Sequence, residues 1–310
     1  MVQVENLRKS YGKFTALDGM ELQIEKGQLY GFVGPNGAGK TTTMRIMSGL
    51  LSADSGKVCV DGIDVLETPE KVKEKIGYMP DFFGVYDNLK VKEYMEFFAS
   101  IYGITGKDAY RNYMEKLDMV NLSEKENEYV DGLSRGMKQR LCLARCLIHE
   151  PSLLILDEPA SGLDPRARFE MKEILRRLSG MGKTILISSH ILPELAEMCT
   201  HVGIIEGGKT IVSGAVDEIM AKFNNSNPLV MTCVHGQEKA IAFLKENKEI
   251  QTISTDGNKI YVGYAGTSAQ EAQLLKQLLE QGVLISAYGR EEGNLESLFM
   301  QITQKQEGMK

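Results

Sequence analysis

One stretch near the amino terminus constrains this chain more than any other. Gly34-Pro35-Asn36-Gly37-Ala38-Gly39-Lys40-Thr41-Thr42 follows directly on the apolar run Leu29-Tyr30-Gly31-Phe32-Val33. A strand, a glycine-rich turn and then a helix is the context in which the pattern G-x-x-x-x-G-K-[ST] binds phosphate. The glycines let the backbone fold back so that several N–H groups converge on one concavity. Lys40 adds a mobile cation for the β- and γ-phosphates, and the Thr41 hydroxyl is a ligand for Mg²⁺. The helix expected over residues 42–50 aims its positive end at the same anion. The stretch reads as a nucleoside triphosphate site.

Composition narrows the setting. A chain of 310 residues has room for one or two domains with a substantial core. Its formal charge of −6 argues against a nucleic-acid-binding surface, which needs a basic face. No apolar run approaches the ~20 residues that span a bilayer. The opening Met-Val-Gln-Val-Glu-Asn has no basic segment leading into an apolar one, so no signal peptide is expected. If a membrane matters, another chain supplies it. The cysteines, Cys59, Cys142, Cys146, Cys199 and Cys233, are scattered as small hydrophobes in a reduced protein would be. Cys142 and Cys146 share a helix face with His149 close behind, but a metal site there lacks a fourth ligand, so core packing is expected.

Taken in order, residues 1–30 read as short strands, with Tyr11 in the polar turn between them. An aromatic face beside a nucleotide site stacks on a base as readily as it stands idle in solvent. Ile76-Gly77-Tyr78-Met79-Pro80-Asp81 ends a strand at a proline. The apolar spacing of Tyr94, Met95, Phe97, Phe98 and Ile101 predicts a helix over residues 91–117. Leu133-Ser134-Arg135-Gly136 precedes a helix over 137–149, with Ser134 as its N-cap. A serine hydroxyl and free N–H groups at a helix start form a second phosphate-binding end.

Leu153-Leu154-Ile155-Leu156-Asp157-Glu158 is an apolar strand closed by two acids. A continuous apolar run suits a parallel strand buried on both faces, and ligands of such sheets lie at the carboxyl ends of strands. Asp157 is therefore placed to hold Mg²⁺, and Glu158 to act as general base on the attacking water. Ser161-Gly162-Leu163-Asp164-Pro165 is a turn before a helix. The strand Thr184-Ile185-Leu186-Ile187-Ser188-Ser189 then ends at His190, next to strands that carry Lys40 and Glu158. Beyond the polar linker 223–228 the order is βαββαβ, with a last helix over 294–303. That order is ferredoxin-like.

With these motifs in this order, the first 222 residues resemble the nucleotide-binding subunit of ABC transporters. Gly34 to Thr42 is similar to Walker A, Leu153 to Glu158 to Walker B, and Leu133-Ser134-Arg135-Gly136-Met137 to the signature motif. Tyr11 corresponds to the aromatic adenine platform, Ser161 to Asp164 to the D-loop, and His190 to the switch histidine. The resemblance implies an α/β P-loop NTPase core with antiparallel β and helical subdomains over 1–222. A small α+β ferredoxin-like domain over 229–310 resembles the accessory domain of ABC-2-type exporter ATPases.

What the resemblance implies is an ATPase with ATP and Mg²⁺ as cofactors. It would be peripheral on the inner, cytoplasmic face of a cell membrane. Its partners would be an integral-membrane permease and a second ATP-binding subunit, with no nucleic acid. Each ATP would be held by one subunit's Tyr11, Asn36, Gly37, Ala38, Gly39, Lys40, Thr41 and Thr42 and the other's Ser134 and Gly136. Glu158, His190 and Lys40 would act in catalysis, with Thr41, Asp81 and Asp157 at the metal. Two positions depart from the family pattern. Asp81 stands where the Q-loop glutamine is usual, and Arg135 replaces the first glycine of the signature pair, where it is expected to add a contact across the dimer. An ABC ATPase of translation or DNA repair would carry two cassettes or a long coiled-coil insertion, and neither is in the sequence. A nucleotide sensor without hydrolysis would suit Asp81 but not Glu158 and His190.

Overall fold

The structure is a computed structural model that describes all residues except 83, 85, 87, 190–194, 196, 221–226, 248 and 291–310. The chain divides into two compact units, Met1–Val216 and Asp217–Lys310. The first begins with a hairpin of β1 (Val2–Tyr11) and β2 (Phe14–Ile24), paired from Val2 opposite Ile24 to Tyr11 opposite Phe14 with shifts of register on the way. Val2 and Val4 of β1 face inward with Gln3 between them in water, and a bulge between Val4 and Leu7 returns Leu7 to the buried face. Next come β3 (Leu29–Val33), α1 (Lys40–Met47), β4 (Ser55–Val60), β5 (Ile63–Asp64), α2 (Pro69–Lys73) and β6 (Ile76–Met79). A helical segment follows, with α3 (Val91–Ile101), α4 (Gly106–Met119) and α5 (Arg135–Leu147). Then β7 (Leu153–Leu156), α6 (Pro165–Gly180), β8 (Thr184–Ser189), β9 (His201–Glu206) and β10 (Lys209–Ala215) complete the unit.

Two sheets result, one antiparallel in the order β2-β1-β4-β5 and one in the order β10-β9-β3-β8-β7-β6. In the second, all neighbours are parallel except β10 against β9. Val2, Leu22 and Val58 of the first sheet share a core with Phe32, Ile155 and Leu186 of the second and Met44 of α1. β3 and β7 are buried at every position, as their unbroken apolar runs predict for strands covered on both faces. Val33 lies opposite Ser189, Ile187 opposite Leu156, and Leu156 opposite Met79. The loops after β3, β8, β7 and β6 therefore leave the same edge of the sheet, where ligands of parallel sheets bind.

The single helix expected over 91–117 is two helices. α3 stops in a Schellman turn: Gly103 takes the left-handed φ of 73° and its N–H donates to the Ser100 carbonyl, while Ile104 N–H donates to the Ala99 carbonyl. The apolar period runs on through this turn, so period alone hides the break. α1 begins at Lys40 rather than residue 42 and stops at Met47, and α5 begins at Arg135 rather than residue 137.

The second unit runs β11 (Leu229–His235), α7 (Gln237–Glu246), β12 (Ile250–Asp256), β13 (Lys259–Tyr264), α8 (Ser268–Glu280) and β14 (Leu284–Arg290). Its antiparallel sheet has the order β12-β13-β11-β14, the ferredoxin-like arrangement expected from βαββαβ. Leu229, Met231, Ile260 and Val262 from the sheet pack on Ala240, Leu244, Leu274 and Leu278 from the helices. The helix expected over 294–303 lies outside the described residues.

Candidate active site

The loop after β3 closes around Gly39, whose φ is 105°. A Cβ there would stand 2.6 Å from Leu17 Cδ2 and 2.8 Å from the Ala16 carbonyl oxygen, so both conformation and space require glycine. Ala38 is buried behind the loop, where its carbonyl accepts from Gly208 N–H. Lys40 opens α1 and turns back over the loop, its Nζ donating to the Gly34 carbonyl at 2.6 Å and the Pro35 carbonyl at 3.2 Å. Burial pushes the Lys40 pKa down, while the charges of Glu158 and Asp157 pull it back up.

Those acids arrive from β7. Asp157 is buried, with Oδ2 accepting from Thr41 Oγ1 at 2.7 Å and Oδ1 from Ser188 Oγ at 2.6 Å. Glu158 adopts a left-handed φ of 52°, and its N–H donates to Ser188 Oγ at 2.9 Å. A cleft above the loop is lined by Tyr11, Asn36, Gly37, Gly39, Lys40, Thr41, Thr42, Asp81, Asp157 and Glu158. Residues from four segments of the chain thus meet in one concavity, and Asp81 is among them. Tyr11 stands at its mouth, half exposed, with Lys9 Nζ over its ring.

Phe14, Ala16 and Ser188 escape the sequence reading. Phe14 also lines the cleft; its signal is its place directly across the hairpin from Tyr11. Ser188 is a buried hydroxyl that directly follows the apolar run Ile185-Leu186-Ile187 of β8, and its place at the carboxyl end of a parallel strand is its signal. His190 follows Ser189 and lies outside the described residues.

Ser134 and Gly136 do not line this cleft. Ser134 caps α5 as expected, its Oγ accepting from Met137 N–H at 3.3 Å, and it is otherwise exposed. Arg135 reaches within its own chain: Nη2 donates to the Ser161 carbonyl at 3.1 Å, as does Gln139 Nε2. Its guanidinium covers Gly162, where a Cβ would come within 2.5 Å of it. Asp164 caps α6 by accepting from Ala167 N–H at 2.9 Å. Cys146 donates to the Tyr78 carbonyl, Cys142 accepts from Arg145, and His149 bonds the Ile76 carbonyl, so each of these side chains is engaged with its own packing neighbours.

The sequence profile of the ABC transporter family matches residues 17–161. The linearmycin resistance ATP-binding protein LnrL of Bacillus subtilis (strain 168) is 30% identical over 305 residues, covering 98% of each chain. The chain belongs to the ABC transporter family. The bacitracin transport ATP-binding protein BcrA of Bacillus licheniformis is 34% identical over 303 residues, or 97% of each chain. Among solved structures, a dimeric ATP-binding cassette in a post-hydrolysis state with ADP and Pi matches with a TM-score of 0.64 and 25% identity. That match covers 70% of this chain and 99% of the other. As an ATP-binding subunit of an ABC transporter, the protein binds and hydrolyses ATP. Subunits of this family work with membrane permeases and form dimers. Among the described residues, no helix is long and apolar enough to cross a membrane.

Proposed function

We propose that this cleft hydrolyses ATP with Glu158 as general base, and that the cycle drives a separate permease through closure of a dimer of ATP-binding subunits. One observation carries the reading. Lys40, Thr41, Asp157 and Glu158 converge at the carboxyl ends of β3 and β7, the parallel strands on either side of β8, in a cleft edged by Tyr11. Tyr11 stacks on the adenine, the amides of residues 36–42 cradle the phosphates, and Lys40 binds the β- and γ-phosphates. Glu158 takes the proton of the attacking water, and His190 addresses the γ-phosphate.

Thr41, Asp157 and Asp81 are hard oxygen donors, and Mg²⁺ prefers a hydroxyl and one or two carboxylates beside substrate phosphates to an all-protein cage. When bound, Mg²⁺ supplies neutralising charge to the phosphate oxygens. Ser134 and Gly136, outside their own chain's cleft, address the ATP held by the second subunit from the positive end of α5. That subunit is a second copy or a close relative. The transport is export, with the subunit on the cytoplasmic face of the membrane; relatives named for linearmycin resistance and bacitracin transport support the export part of that reading. Residues 229–310 act as a non-catalytic accessory domain beside a nucleotide-binding domain over 1–222.

The test is steady-state hydrolysis by the purified chain and its Glu158→Gln variant. Loss of a general base typically costs about 10²–10⁴ in rate, while ATP binding persists and an ATP-bound dimer accumulates on size exclusion. A variant that turns over at the wild-type rate places the base elsewhere.

A further inference from the structure

The buried hydroxyl of Ser188 joins the two acids of the cleft. Ser188 is completely buried in β8, and its Oγ is 2.6 Å from Asp157 Oδ1 and 2.9 Å from the Glu158 nitrogen. A serine hydroxyl has one proton to give and lone pairs to receive. The Asp157 carboxylate takes the proton, and the Glu158 N–H points at the oxygen. The other Asp157 oxygen is held by Thr41 at 2.7 Å, so the carboxylate is clamped between α1 and β8 and does not rotate freely. Glu158 meanwhile stands at a φ of 52°. For a residue with a Cβ that conformation costs about 1–2 kcal/mol and persists only where surrounding bonds hold it. The Ser188 bond to its amide is such a restraint, made at the residue whose direction matters to hydrolysis.

We infer that Ser188 is a positioning residue for ATP hydrolysis. It fixes the rotamer of Asp157 with its proton and holds the Glu158 backbone in the left-handed turn that sends the side chain into the cleft. Buried and not among the residues that line the cleft, it acts through the two acids, so the inference rests on the roles proposed for them above. Its removal frees Asp157 to rotate and lets Glu158 relax toward an ordinary φ. Both effects fall on the chemical step, while the phosphate cradle, built from residues 34–42, is unaltered.

The experiment compares kcat, KM, ATP affinity and melting temperature of the full chain for Ser188→Ala, Ser188→Thr and Ser188→Val, with Glu158→Gln alongside. A hydrogen bond to a charged group lost from the transition state corresponds to about a ten- to hundredfold fall in kcat. Ser188→Ala is expected to show that fall with KM and ATP affinity within about twofold of wild type. Thr and Val have nearly the same shape, so their difference isolates the hydroxyl. Ser188→Thr is expected to recover most of kcat and Ser188→Val to stay slow, and this pair decides the matter if Ser188→Ala melts too low to assay. An inactive Glu158→Gln beside Ser188→Ala and Ser188→Val at wild-type kcat would overturn this inference alone. A threonine variant as slow as valine at equal melting temperature would overturn it too. An active Glu158→Gln would overturn the site reading and this inference with it.

Discussion

Replacing Lys40 by Met keeps the length of the side chain and removes its charge. In the ATP-free protein two effects then oppose each other. Lys40 is a buried residue, and burial has pushed its pKa down, so the charged form is held at a cost the thioether avoids. Against this, the bonds from Nζ to the Gly34 and Pro35 carbonyls vanish, which costs on the order of 2 kcal/mol. The opposing effects leave the ATP-free melting temperature within about 4 °C of wild type for a domain of this size. With ATP there is no such offset. In the proposed site the ammonium meets the β- and γ-phosphates, and loss of such a charge-assisted bond weakens binding by about a hundredfold.

At an ATP concentration about a thousand times the wild-type Kd, bound ligand stabilises wild type by about 4.1 kcal/mol. The variant, then at about ten times its own Kd, gains only about 1.4 kcal/mol. The difference of about 2.7 kcal/mol corresponds to an ATP-induced rise in melting temperature smaller by about 5–10 °C. Differential scanning fluorimetry over an ATP titration reads both quantities. The pH dependence carries a sign as well. Because the folded Lys40 pKa lies below the ordinary 10.5, the unfolded chain binds more protons between those two values. Lys40 therefore makes stability rise with pH across that alkaline window, and Lys40→Met removes the contribution. An ATP-induced rise equal to wild type would refute the cation's role. A fall of well over 4 °C without ATP would make Lys40 a structural strut instead.

Two further outcomes test the departures from the family pattern. Asp81→Gln replaces a carboxylate of the cleft by the usual amide and is expected to raise hydrolysis at low Mg²⁺ or flatten its Mg²⁺ dependence; superimposable curves would exclude Asp81 from the site. Gly162→Ala adds a methyl at a φ of +66° where the Arg135 guanidinium lies. It should cost about 1–2 kcal/mol of strain plus about 1 kcal/mol for the displaced Arg135–Ser161 bond. In an Arg135→Ala background only the strain remains, so urea unfolding of the four proteins gives a coupling near 1 kcal/mol, and strict additivity would deny the contact.

The parts of the site that sequence makes legible are contiguous in the chain. Gly34 to Thr42 carries strand end, turn and helix start in a single run, and Leu153 to Glu158 carries a buried strand with its acids attached. Neither needs knowledge of what lies beside it. Ser188, by contrast, acquires meaning only when β8 is laid between β3 and β7, because its partners Asp157 and Glu158 are some thirty residues away in the chain. Phe14 became a neighbour of the nucleotide cleft only through the register that sets it opposite Tyr11. The break between α3 and α4 failed for a different reason. Its signal, Gly103 followed by Ile104, is local, but an apolar period that continues across a Schellman turn conceals it.

Arg135 marks the limit of motif reading most clearly. By position it belongs to the signature, and as a cation at a helix start it invites a partner across the dimer. Its own chain already supplies that partner. The Ser161 carbonyl accepts from both Arg135 and Gln139, and Ser161 N–H donates to the Glu158 carbonyl at 3.0 Å. The first turn of α5 is therefore tied, through one tight turn, to the residue proposed as general base, although Ser134 and Gly136 lie outside the cleft that holds Lys40. A helix N-terminus helps an anion only within about a turn's length. In the proposed dimer, the phosphate that reaches Ser134 belongs to the other subunit's ATP, and the helix it meets is bonded through Ser161 to the backbone of this subunit's Glu158.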